Sequence, residues 1–341
     1  MNVVVTGAAG FIGRAFVARL RRGAILRDAS GREYLPDRLV LCDTGDDPQA
    51  TGAAPATVRD TPRTVWRKGS VVDRDFVSSL VDRETACVFH LAGIVSGAAE
   101  ADFDAGIRVN LDGTRNLLDA VRAQAGDRVV RLVQASSIAV YGAPLPARID
   151  DDTQPWPTLS YGAHKLAGEL LIGDLSRRGL LDGRSVRLSG VVVRPAQPNG
   201  ALSAFNSDLI REPLAGRPVV SPVSRRATIW LQSLVQTVDN LLHAMNLDAP
   251  SFGQRRAVLL PAIACSIEEV VDAITQVAGK NTAALVEYRP DDRIEPMFGR
   301  WPRPFTAVRG LELGFGVDPD VLTLVRNYAQ GGPDAGYLNS R

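Results

Sequence analysis

The stretch Gly7-Ala8-Ala9-Gly10-Phe11-Ile12-Gly13 constrains this chain more than any other part of it. It follows the apolar run 3–5 directly and opens a segment, 12–20, whose apolar residues recur at helical spacing. In a strand–turn–helix unit each glycine answers a separate steric demand. Gly7 permits a tight turn, Gly10 lets backbone approach a pyrophosphate, and Gly13 lets the helix pack close to the strand. The helix N-terminus adds free N–H groups and a partial positive charge facing the anion. A chain that opens this way builds a dinucleotide cradle, with Gly7, Ala9, Gly10, Phe11, Ile12 and Gly13 as its expected contacts.

The pattern beyond the loop is consistent with that. Residues 39–42, 64–66, 86–91 and 129–135 are short apolar runs that predict buried strands, and 76–81 and 109–123 predict helices between them. This alternation predicts an α/β fold, a doubly wound parallel sheet with helices on both faces. Right-handed crossovers bring the strand C-termini to one edge, where ligands bind. Residues 27–37 interrupt the rhythm as an insertion before the second strand, and the Pro/Gly/Ala/Asp-rich 44–62 as a surface loop. From Pro195 onward, with further prolines at 198, 213, 218 and 222, the chain is expected to leave the sheet and build a smaller C-terminal lid. Residues 232–245, 267–278 and 321–328 predict further helices, and the tail from Gly331 is expected to fray. The predicted division is 1–193 for the dinucleotide, with 228–260 returning to that unit, and 194–341 mainly for substrate.

Asp43 closes the second predicted strand. A carboxylate there accepts hydrogen bonds from the adenosine ribose and repels a 2′-phosphate, which favours NAD over NADP. The chemistry comes from Tyr161-Gly162-Ala163-His164-Lys165, a phenol and an ammonium on one helix face. A free tyrosine, with a pKa near ~10, is a poor base at neutral pH. A neighbouring ammonium lowers that value and brings the phenol toward acid–base work, and Lys165 can also hold the nicotinamide ribose. Ser137 sits just past a predicted strand and can hydrogen-bond the same substrate oxygen. Leu91, Ala92 and Gly93 end the fourth strand and pass under the cofactor, while Asn110 opens a helix bordering the site. His90 is expected to be a hydrogen-bonded core residue.

Taken together, these residues resemble the extended short-chain dehydrogenase/reductase superfamily, which includes sugar-nucleotide epimerases and dehydratases. The resemblance implies a Rossmann-type fold, NAD, and catalysis by Ser137, Tyr161, Lys165 and Asn110. It also implies cofactor contacts at Ser70 and Val71, where the usual Gly-Asp reads Gly69-Ser70. The segments 90–104, 160–165, 169–172, 176–179, 194–195, 198–199 and 210–214 further resemble the D-erythronate dehydrogenase subgroup. That implies oxidation of the C2 hydroxyl of a small sugar acid, with no metal. The chain departs from the subgroup at Ser189-Gly190 and Ala196, near the lid. The expected substrate contacts are Ser96, Ser137, Tyr161, Asn199 and Arg211, the arginine meeting a carboxylate, with Arg225 and Arg226 as rivals for that task. The alternative is a sugar-nucleotide epimerase or dehydratase that keeps its NAD tightly bound. A non-catalytic NAD sensor would lack the Tyr161/Lys165 pair.

Composition excludes other classes. The 39 basic and 38 acidic residues nearly cancel, so no field directs the chain to nucleic acid or a membrane surface. Cys42, Cys87 and Cys265 are far apart, which argues against a disulfide framework and for a reducing cytoplasm. The histidines do not cluster, so no metal is expected. A small-molecule substrate and a homodimer are the expected partners, the dimer built from helices around 109–123 and 161–175 through Leu117, Leu118, Val121, Leu170, Leu171 and Leu175.

Overall fold

A computed structural model of the chain describes residues 1–48, 62–124, 126, 128–196, 200–303 and 305–331. The strands of its two larger sheets, in chain order, are β1 (Asn2–Thr6), β2 (Arg38–Asp43), β3 (Arg63–Lys68), β4 (Thr85–His90), β5 (Arg131–Ser137), β6 (Asp182–Leu188), β7 (Gly190–Val192), β8 (Thr228–Ser233), β9 (Ala257–Leu259) and β10 (Ile263–Ser266). The helices that matter here are α1 (Phe11–Arg21), α2 (Gly113–Gln124), α3 (Ser160–Arg177), α4 (Phe205–Leu214), α5 (Leu234–Asn246), α6 (Ile267–Ala278) and α7 (Val321–Ala329).

Seven strands form one parallel sheet in the order β9-β6-β5-β4-β1-β2-β3. Every residue of β1 is buried, and alternation divides them. Val3 and Val5 pack with Phe16 and Leu20 of α1 and Leu241 and Met245 of α5, while Val4 faces Leu117 and Val121 of α2 and Ile172 of α3. Helices on both faces explain why the strands read as continuous apolar runs. The chain travels outward through β2 and β3, then returns to lay β4 beside β1. That reversal is a topological switch point, and it opens a crevice at the C-terminal ends of β1 and β4, where Thr6 pairs with His90.

The second unit has its own three-stranded sheet, β7-β8-β10. Its core joins Phe205, Leu209 and Ile210 of α4 to Val270 and Ile274 of α6 and Leu324 and Val325 of α7. Ser266 and Glu269 form a reciprocal cap that starts α6 at the predicted residue. Late in the chain β9 returns to the main sheet beside β6.

At the other edge of the sheet from the crevice, Asp182 opens β6 among three arginines. Its Oδ2 accepts from Arg131 at 2.9 Å and Arg184 at 2.8 Å, and its Oδ1 from Arg256 at 2.9 Å. Arg131 and Arg184 also donate to the Met245 carbonyl, at 2.8 and 3.1 Å, near the C-terminus of α5. The electron-rich end of that helix helps to neutralise the surplus positive charge.

Several elements differ from the sequence expectation. Residues 27–37 contribute to a small hairpin, Leu26–Arg27 against Glu33–Tyr34. The helix expected over 76–81 is Arg74–Ser78, because Asp73 caps it two residues earlier than the apolar pattern shows. Gln232 and Ser233 complete β8, and Ser233 caps α5. Leu117, Leu118 and Val121 lie in the protein's own core, leaving Leu170 and Leu171 as the exposed members of the apolar set assigned to a dimer. The loop expected over 44–62 lies largely outside the described residues, as does the tail beyond 331. Among the described residues, no helix is long and apolar enough to cross a membrane.

Candidate active site

The glycine loop turns between β1 and α1. Gly7 has φ +73°, and a Cβ there would lie 2.6 Å from the Ala92 nitrogen. A Cβ on Gly13 would lie 2.0 Å from the Gly7 carbonyl oxygen, so α1 seats against the loop only without a side chain there. Gly10 caps α1 with no side-chain hydrogen bond, and no acid stands in the first turn. The first N–H groups of α1 are thus left without a capping side chain, beside a cavity lined by Gly7, Gly10, Phe11, Ile12 and Gly13. Asp43 reaches the same loop from β2, its two oxygens accepting from Ala9 N at 2.9 Å and Gly45 N at 3.1 Å. An uncapped helix start with a carboxylate at the end of the neighbouring strand fits a dinucleotide.

The cavity, about 470 Å³, runs from this loop past the ends of β4 and β5 toward the second unit. Ser137 ends β5, and Tyr161 and Lys165 lie in the first two turns of α3; all three line it. Lys165 Nζ is 5.7 Å from the centre of the Tyr161 ring. Burial pulls the Lys165 pKa down to about 8, opposed by the Glu169 carboxylate one turn further along. Glu169 is itself held by the Ser136 hydroxyl at 2.5 Å and by Arg187 at 2.7 Å. Burial also raises the Tyr161 phenol above its usual value, opposed by Arg194 and then by a hydrogen bond with Ser137. The cation that counters burial at the phenol is therefore Arg194, where the sequence pointed to Lys165.

Leu91, Gly93 and Ser96 also line the cavity. The Ser96 hydroxyl accepts from Leu202 N at 3.3 Å and ties the loop after β4 to the second unit. His90 is bracketed by Thr6 Oγ1 at 2.8 Å and Thr114 Oγ1 at 2.9 Å, and burial lowers its pKa to about 3. It is a neutral core group.

Other expected residues sit elsewhere. Asn110 does not line the cavity; its Oδ1 accepts from Ile94 N at 2.9 Å and its Nδ2 donates to Ile94 O at 3.0 Å. It shapes the loop after β4, where both its Oδ1 and Lys165 Nζ lie close to Gly93. Ala9, Asp43, Ser70, Val71 and Ala92 are outside the cavity lining, and Ser70 Oγ accepts from Val72 N at 3.2 Å. Arg211 is turned away from the cleft and bound to Asp208, Glu212 and the Arg194 carbonyl. Its rival Arg225 pairs with Glu268 at 2.9 Å, and neither Arg225 nor Arg226 lines the cavity. Asn199 lies outside the described residues.

In the place expected for Arg211 stands Arg194, just past β7. It lines the cavity, donates from its backbone N–H to Ser207 Oγ at 3.0 Å and from Nε to Val191 O at 3.3 Å. Among the described residues no carboxylate pairs with it. The sequence signal was a lone cation ending the apolar run Val191-Val192-Val193 and followed by Pro195.

A family model described as the NAD dependent epimerase/dehydratase family matches residues 3–228. D-erythronate dehydrogenase of Cupriavidus necator is 40% identical over 337 residues, covering 98% of this chain and 99% of that protein. D-erythronate dehydrogenase of Haemophilus influenzae is 32% identical over 330 residues, covering 97% and 99%. The solved structure of a nucleoside-diphosphate-sugar epimerase from Agrobacterium tumefaciens superposes with a TM-score of 0.86 at 36% identity, covering 97% of this chain and 94% of that one.

Proposed function

Because the chain belongs to the NAD dependent epimerase/dehydratase family, we propose that it oxidises a secondary hydroxyl of a small sugar acid with NAD, as a D-erythronate 2-dehydrogenase does. The observation that carries this reading is Arg194, a cation without a carboxylate partner among the described residues, in the cavity that also holds Tyr161. A substrate carboxylate completes that pair and fixes the molecule by its acid end, turning its C2 hydroxyl to the phenol.

The uncapped start of α1 holds the cofactor diphosphate, and Asp43 takes the adenosine ribose and excludes a 2′-phosphate. Bound NAD supplies the hydride acceptor. Tyr161 accepts the hydroxyl proton as the carbonyl forms. Ser137 donates a hydrogen bond to the same substrate oxygen. Lys165, as an ammonium, holds the nicotinamide ribose, while Arg194 and the Ser137 hydrogen bond oppose the effect of burial on the phenol. Residues 1–193, with 228–260, serve the cofactor in this division, and most of 194–341 serves the substrate. The exposed Leu170 and Leu171 on α3 support a homodimer, for which light scattering gives twice the mass of one chain.

The test is a screen of four- and six-carbon sugar acids with NAD, followed by NADH absorbance. Net NADH from an acid supports the dehydrogenase; enzyme that holds its NAD and releases none is the epimerase. With the acid that reacts, Arg194→Gln raises KM roughly 100-fold, because the carboxylate loses its charged partner. Arg225→Ala, whose side chain pairs with Glu268 away from the cavity, leaves KM within about twofold. The reverse ranking excludes Arg194 from recognition.

A further inference from the structure

We propose that Ser189 and Asn206 form a hydroxyl-binding subsite, which selects a substrate carrying a second hydroxyl beyond the one oxidised; this deepens the sugar-acid reading above and rests on it for the substrate class. Ser189 follows β6 directly, and Asn206 lies in the first turn of α4. Both line the cavity that contains Tyr161 and Arg194. They are only 9% and 6% exposed. Among the described residues, Ser189 Oγ and Asn206 Oδ1 are buried atoms without a hydrogen-bond partner. Folded proteins rarely leave such atoms unmatched. The other unmatched side-chain atoms belong to residues away from this cavity, so the two on its wall point to a ligand.

The backbone is built to keep the pair in place. A Cβ on Gly190 would lie 2.9 Å from Asn206 Nδ2 and 2.8 Å from the Trp230 carbonyl oxygen, so only glycine lets the amide lie there. The next residue, Ser207, accepts from the Arg194 backbone N–H at 3.0 Å. This tether fixes the subsite relative to the guanidinium. A single ligand thus meets Arg194 with its carboxylate and the Ser189/Asn206 pair with another oxygen.

The donor and acceptor balance names that second group. Asn206 Oδ1 only accepts, whereas Ser189 Oγ both donates and accepts. A ligand hydroxyl matches both at once, donating to the amide oxygen and accepting from the serine. A carbonyl or ether oxygen leaves Oδ1 unmatched, and a methyl group leaves both. Trp230, Met297, Phe298 and Trp301, largely apolar, line the same cavity.

Initial rates of NADH formation are measured with D-erythronate and with its 4-deoxy counterpart. The expected result is that Ser189→Ala and Asn206→Ala each lower the ratio of kcat/KM for the two acids by about tenfold. A ratio unmoved by both variants overturns the subsite. A second readout does not need turnover: saturation-transfer NMR of erythritol, a neutral polyol, on the NAD-loaded protein. Transfer in the wild type, weakened several-fold in both variants, supports the subsite. Equal transfer in all three, or none in the wild type, overturns it. A wild type that oxidises neither acid while the variants still lose erythritol transfer defeats the dehydrogenase reading and leaves the subsite standing.

Discussion

Replacing Tyr161 with phenylalanine lowers turnover by about a thousandfold and leaves NAD affinity within about twofold of the wild type. The substitution deletes one oxygen, which shares a hydrogen bond with Ser137 in the cavity. No buried partner is stranded, because Ser137 Oγ also accepts from Ala139 N at 3.1 Å. The fold and the cradle are therefore preserved while the hydroxyl proton of the substrate loses its acceptor. NADH absorbance measures the first effect and fluorescence titration with NAD the second. Turnover that survives removes Tyr161 from the chemistry; lost NAD affinity shows that the change disturbs binding instead. The same variant isolates Lys165. Burial pulls that ammonium to about 8, so it is charged below this value and neutral above it. Affinity for NAD is accordingly retained below pH 8 and weakens as the pH rises through it, and in the further variant Lys165→Met this dependence disappears.

The second large effect is on stability and lies at the other edge of the sheet. Asp182→Ala costs about 3–5 kcal/mol, because it leaves buried guanidinium groups without their anion. Arg131 and Arg184 are 1% and 0% exposed and cannot turn to water. Burial pulls Arg184 down to about 10 even with Asp182 beside it, so the carboxylate is the principal offset to a large desolvation cost. The carbonyl end of α5 offers partial compensation and no full charge. Chemical denaturation measures the loss, and Asp182→Asn, which keeps the hydrogen-bond acceptor, separates charge from geometry. A loss below about 1 kcal/mol for both variants means that the helix end alone satisfies the arginines.

Much of this architecture was legible in the residues, for identifiable reasons. Strands buried on both faces appear as short apolar runs, and the glycine loop between β1 and α1 is dictated by close backbone contacts, so both carry local signatures. The i, i+4 spacing of Tyr161 and Lys165 places them on one face without any tertiary knowledge. What escaped depends on which way a side chain turns. Arg211 and Arg194 are equally basic in sequence, yet Arg211 has Asp208 three residues back on the same helix and is spent there. Arg194 follows a strand, with no local acid to claim it. The resemblance implied a catalytic Asn110, but the pairing of its amide with the Ile94 backbone, 16 residues away, is something no local pattern reveals. Ser189 stood out in the sequence only as a departure from the resembled subgroup and Asn206 not at all, because their significance lies in a missing partner, which only a packed structure discloses.

The late return of β9 to the edge of the main sheet has a consequence for biosynthesis. As the chain emerges from the ribosome, β6 waits unpaired on its outer side until Ala257–Leu259 has been translated. Throughout that interval the nascent polypeptide exposes an open strand rim able to zip onto a neighbour. A stop codon anywhere in the lid before that point yields a product with this rim bare, prone to self-association whatever the integrity of its amino-terminal half.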